Sequence, residues 1–149
     1  MHIEELTEKL SIDFLAGSRL GRLACANKDQ PYITPCYFAY HDRCIYGFST
    51  VGQKIEWLRA NPLACLQVDE IKSFQEWTSV VVLGRFEELP KSRESEAARE
   101  LAYKLLHQHQ FWWEPGYARA VSHGTPRPLE AVYYRLSIEE ISGHRATPN

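Results

Sequence analysis

The sequence contains no uncharged apolar stretch long enough to cross a bilayer, so a membrane-spanning helix is not expected. Its opening, MHIEELTEKL, is interrupted by Glu4, Glu5, Glu8 and Lys9 and does not read as a signal peptide. A soluble, cytoplasmic protein is the expectation. Only four cysteines occur, at positions 25, 36, 44 and 65, and no two form a CxxC pair. That spread predicts reduced thiols rather than a disulfide framework or a zinc site. No charge of one sign dominates: 17 basic against 19 acidic residues leave a formal net charge of -2. General binding to nucleic acid or to an anionic membrane therefore has no electrostatic basis, although a local patch can still hold one phosphate. The GxGxxG and GxxxxGK[ST] loops of common nucleotide-binding folds are absent as well.

What is present is a 149-residue chain with 44% hydrophobic and 12% aromatic residues, enough for one core and a single domain over 1–149. Ile3, Leu6, Leu10 and Phe14 recur at helical spacing and predict one or two short helices before Gly17. From Arg22 the texture becomes β. Three strands joined by turns at Asn27–Gln30 and His41–Arg43 run to Thr50, and a short helix over Val51–Ala60 stops at Asn61-Pro62. LACLQVDEI and WTSVVVLGRFEEL are two further strands, the second with Gly84 at an expected bulge or close approach. A helix carrying Ala97, Leu101, Leu105 and Leu106 follows, with Ser92 or Ser95 as its cap. HQHQFWWEPGYARAVSHGTPRP reads as an ordered loop and EAVYYRLSIEEISG as a returning strand. Consecutive antiparallel strands with few helices predict a mainly β fold, a closed or nearly closed barrel with helices packed outside.

The stretch IYGFSTVGQKIEW carries the clearest chemistry. A strand delivers Ser49 and Thr50 to a helix start that holds Gly52 and Lys54. Hydroxyls, free backbone N–H groups, the helix dipole and an ammonium together favour a phosphate. The plainer alternative is a Ser or Thr N-cap followed by a solvated lysine.

The order G-R-L-A, P-x-x-x-P-x-x-Y, I-Y-x-F-S, G-x-K, N-P, W-x-S-V and Y-R-L-x-I-x-E-I-S-G resembles the pyridoxamine 5'-phosphate oxidase-like FMN-binding split barrels, in particular their nitroimidazole-resistance-type branch. The resemblance runs from about Leu15 to Arg145. It implies a six-stranded antiparallel split β-barrel with peripheral helices, forming a homodimer with FMN at the subunit interface. In such proteins the strand holding Pro35, Cys36 and Tyr37 runs beside the isoalloxazine ring, while Phe48, Ser49, Thr50 and Lys54 hold the phosphate. Trp77, Ser79 and Val80 would line the flavin from the next part of the barrel. The arginine-rich substrate signature of a true pyridoxamine phosphate oxidase is absent, so that activity is not assigned.

The expected function is an oxidoreductase passing electrons from a reduced nicotinamide through FMN to a small acceptor. Backbone groups near Pro35 and Ser79 would tune the flavin, and no catalytic side chain is named. The alternatives are a flavin- or haem-binding protein of storage, sensing or protective role, with His123 or His144 as haem ligand, and an interaction dimer with no bound chromophore. Trp112 and Trp113 would close over a flavin or its substrate, or else pack the core or dimer. Trp57 packs its helix on the barrel. His107 and His109 diverge on a helix and make a poor chelate, His41 belongs to a turn, and Glu139 and Glu140 face opposite sides of a strand. Arg19 and Arg22 beside Gly21 are solvated turn residues that would otherwise add charge near a phosphate.

Overall fold

A computed structural model describes residues 1–108, 119–122, 125–128 and 131–149, the two short segments by their backbone alone. Trp112, Trp113, His109 and His123 lie outside the described residues. The chain opens with β1 (His2–Leu6) and α1 (Glu8–Ala16). A meander of β2 (Leu20–Asn27), β3 (Gln30–His41) and β4 (Cys44–Thr50) follows, and α2 (Gln53–Ala60) interrupts it. Next come β5 (Leu63–Ser73), β6 (Glu76–Glu88) and α3 (Glu96–Leu106). A small hairpin of β7 (Arg119–Ser122) and β8 (Thr125–Pro128) precedes the long β9 (Ala131–Thr147).

Two tight turns set the register of the meander. Lys28 and Asp29, then Asp42 and Arg43, have positive φ (48°, 64°, 46° and 58°), the pattern of two-residue hairpin turns whose twist matches that of the strands. β2, β3 and β4 therefore pair in sequence, and β5 returns to the free edge of β2. The strand order β9-β4-β3-β2-β5-β6, with β6 paired again to β9, closes a six-stranded antiparallel barrel. β1 is the seventh strand of the sheet, lying beside β9 where β4 has ended. The mainly β split barrel expected from the sequence is what forms.

Alternation along the strands divides the apolar residues between two cores. Leu23, Phe38, Ile45, Leu66, Val80 and Leu136 fill the barrel, joined by Leu15 of α1 and by Ile55 and Leu58 of α2. On the outer side of β3, β4 and β9, Ala39, Tyr46, Phe48 and Tyr133 pack beneath Ala102 and Leu106 of α3. Each fully buried large apolar side chain contributes about 1.5–3 kcal/mol relative to exposure.

Two expectations are corrected. Residues 2–6 form a strand and not a helix, because β9 offers them an edge from Thr147 to Gly143 that local spacing does not reveal. The segment read as a loop after α3 contains the β7–β8 hairpin. Gly84 does mark an irregularity, since the β6–β9 register shifts between Leu83 and Gly84.

The barrel opens between β3 and β4. β3 and β4 pair only over Phe38–His41 and Cys44–Gly47. Beyond that, residues 30–37 of β3 stay with β2, while Phe48, Ser49 and Thr50 of β4 stay with β9.

Candidate functional site

A cavity of about 250 Å³ opens where β3 and β4 part. Pro35, Cys36 and Tyr37 form one wall, Phe48, Ser49 and Thr50 the other, and Leu20 and Lys54 complete it. Seven of the residues singled out in the sequence thus meet in one cleft, brought there by the separation of two strands that are hairpin neighbours.

The donor set at the β4–α2 junction is not consumed by the helix itself. The N-cap of α2 is Gly52, in extended conformation at φ -171° and ψ -167°, and no side chain caps the first turn. Ser49 donates instead to the Thr50 carbonyl at 3.3 Å. The N-cap alternative for Ser49 and Thr50 therefore does not hold. Lys54, half-buried in that turn, makes no ion pair with a carboxylate among the described residues. Burial holds its ammonium below the usual lysine range, an effect opposed by the nearby Cys36 and Cys25 thiols. A desolvated cation beside hydroxyls and an uncapped helix start fits an anion with several oxygens, such as a phosphate. Pro35, Tyr37 and Leu20 supply an apolar flank for a flat ring next to it.

Behind this wall Cys36 is buried, and desolvation pushes its thiol up to about 11 despite Lys54 and a hydrogen bond from Tyr134. The thiol is accordingly neutral at physiological pH and a weak nucleophile. All four cysteines are free thiols.

The remaining residues take other places. Trp77 lines a second cavity of about 280 Å³ with Phe14 and Arg145. Val80 is fully buried in the barrel core, backbone included. Ser79 is half-buried on the outer face of β6 and accepts from Gln67 at 3.1 Å. Gln67 and Asp69 in turn hold Arg22, whose guanidinium lies 3.1 Å from the Asp69 carboxylate. Arg22 is therefore structured by β5 and is not a free turn residue. Trp57 packs on the barrel core and meets Tyr32 edge to face, with ring centroids 5.7 Å apart. His41, Arg19 and His144 are exposed, and Glu139 pairs with Arg85.

Sequence reasoning missed Leu20, Gly47 and Tyr134. Leu20 reaches the cleft because it pairs with Tyr37 across β2 and β3. Gly47 lies opposite Tyr134 on β9, and a Cβ built on it would lie 2.3 Å from the Tyr134 ring. A glycine inside the apolar strand CIYGFST was the available signal.

Residues 7–145 match the family model of pyridoxamine 5'-phosphate oxidase. The chain belongs to that family. Within the family, an uncharacterised protein of Rhizobium meliloti is 39% identical over 132 residues, 89% of this chain and 87% of its own length. A FAD-binding protein from Mesorhizobium loti, known from its crystal structure, is 43% identical with a TM-score of 0.81, covering 99% of this chain and 100% of its own. A Bacteroides thetaiotaomicron protein described as a candidate 5-nitroimidazole antibiotic resistance protein shares the fold, with a TM-score of 0.67 at 14% identity over 97% of this chain and 89% of its own. The matched span of this pyridoxamine 5'-phosphate oxidase family member includes every residue that lines the cleft. No helix among the described residues is long and apolar enough to cross a membrane.

Proposed function

We propose that the chain binds a flavin nucleotide in the cleft between β3 and β4 and acts as an oxidoreductase from a reduced nicotinamide to a small acceptor. The observation that carries this reading is Lys54, half-buried without a carboxylate partner among the described residues, beside Ser49, Thr50 and an uncapped helix start. Lys54 and the hydroxyls would hold the flavin phosphate, and Pro35 and Tyr37 would flank the ring. Since burial disfavours the bare ammonium, a phosphate arriving beside it restores the solvation that Lys54 loses on folding. FMN was expected from the sequence; the Mesorhizobium relative's name favours FAD, which carries the same FMN half. When bound, the flavin supplies the hydride and electron chemistry, while this chain orients the ring and limits access of water.

The cleft is smaller than the roughly 300 Å³ lower bound of ordinary ligand pockets and opens beside Leu20 and Tyr37. A second copy of the chain would complete it, so the working form is a homodimer with the site at its interface. Four free thiols agree with a reducing, cytoplasmic setting.

The test is absorption and mass analysis of gently purified protein, then titration of apoprotein with FMN, FAD and haemin. Flavin bands and retention of FMN or FAD are expected, with Lys54→Ala weakening binding by about 1.5–3 kcal/mol. A Soret band with no flavin retained, or unchanged affinity in a folded Lys54→Ala variant, would overturn it.

A further inference from the structure

The two walls of the cleft are separate strands at the very place where a ligand would need a fixed spacing. On β3, Cys36 has lost β4 as a neighbour, because pairing between the strands ends at Phe38 and Gly47. On β4, Phe48 to Thr50 continues its ladder with β9. Among the described residues, a side chain of β9 reaches across this gap on the inner side. Tyr134 of β9 is 1% exposed, lies over Gly47 of β4, and hydrogen-bonds the Cys36 thiol of β3. Gly47 is what makes the crossing possible, since a Cβ there would lie 2.3 Å from the Tyr134 Cζ and 2.4 Å from its hydroxyl oxygen. Phe86 packs against the ring, at a centroid distance of 5.5 Å.

We propose that Tyr134 is a positioning residue of the cleft: laid across Gly47 and bonded to Cys36, it ties β9 to β3 where β3 and β4 separate, and so fixes the spacing between the ring wall and the phosphate wall. Its role in flavin affinity rests on the proposed function; its role in holding β3 does not. The hydroxyl supplies a side-chain link from β9 to β3 where the β3–β4 ladder has ended. Cys36 serves as a weak acceptor for that hydroxyl, kept neutral by its burial, and needs no redox or nucleophilic chemistry of its own. Tyr134 touches no ligand and acts only through the strand it holds.

The experiment compares Tyr134→Phe, Cys36→Ala and the double variant with the unmodified protein. Amide hydrogen exchange is read on apoprotein and FMN affinity by titration. Tyr134→Phe is expected to raise exchange in residues 33–37 while leaving β5 and β6 protected, and to weaken FMN about tenfold, the loss of one buried hydrogen bond. The double variant should be no weaker than the worse single one, because the two changes remove the same bond. Cys36→Ser, which retains an acceptor, should restore most of the protection lost in Cys36→Ala. Unchanged exchange at 33–37, exchange raised uniformly through all strands, or additive losses in the double variant would each overturn the proposal. If the exchange result is as expected while no flavin binds under any condition, the functional reading fails and the positioning role stands.

Discussion

Ser11 is fully buried in α1, and its hydroxyl has no hydrogen-bond partner among the described residues. It packs against Gly143, where a Cβ would approach that oxygen to 2.7 Å. A buried hydroxyl without a partner costs about 1–3 kcal/mol, and alanine is also the better helix former. Ser11→Ala should therefore raise stability by about 1 kcal/mol, seen as a higher urea midpoint at unchanged slope. A lower midpoint would mean that the oxygen is satisfied. Lys54 presents the contrasting case of a desolvated group beside an open cleft and not inside a closed core. At this scale the site was largely legible, because Ser49, Thr50, Gly52 and Lys54 lie within six consecutive positions. Tyr134 was not. Its role depends on the register that sets it opposite Gly47, and nothing within β9 specifies a partner 87 residues away (134 − 47).

At the scale of elements, glycine and the free edge of a strand decide what forms. Gly84 sits at the β6–β9 register shift, and a Cβ there would come within 2.6 Å of the Ser137 carbonyl oxygen. That oxygen belongs to backbone and cannot swing aside. Gly84→Ala should cost about 1–3 kcal/mol by overpacking, measured by urea unfolding, with strand content retained; a neutral result would show that β9 shifts freely at the bulge. The same glycine was visible in the sequence, as were both hairpins of the meander and α2, since each is a local pattern. β1 was not visible as a strand. Ile3 and Leu6 are spaced for a helix, and only the exposed edge of β9 between Gly143 and Thr147 makes the segment extended. α3 shows a smaller discrepancy of the same origin. It starts at Glu96 after Ser95, which makes no side-chain cap bond, so the packing of Ala102 and Leu106 on Tyr133 sets its position more than its cap does.

For the whole molecule, the three helices among the described residues leave part of the barrel's outer face uncovered by helix. α3 covers β3, β4 and β9, while α1 and α2 add Leu15, Ile55 and Leu58 to the core. Among the described residues, no helix covers the outer face of β2, β5 and β6 or of the β3 segment that runs with β2 beyond the α3 contact. Register places Ile33, Ala24, Cys65 and Leu83 in one row across those four strands, with Ile33 62% and Leu83 46% exposed. The next row carries Pro35, Arg22, Gln67 and Val81, and beyond it Leu20 and Tyr37 join the face to the mouth of the cleft. An apolar row of this kind, beside the partly exposed Arg22–Asp69 pair, suits an isologous interface in the homodimer proposed above. For the homodimer proposed above, Ile33→Glu should thus yield a monomer in sedimentation velocity without unfolding the barrel. Because the cleft opens on the same face, the monomer should also lose flavin even with Lys54 intact. A monomeric variant that keeps full flavin affinity would place the whole site within one chain, and a variant that stays dimeric would move the interface elsewhere.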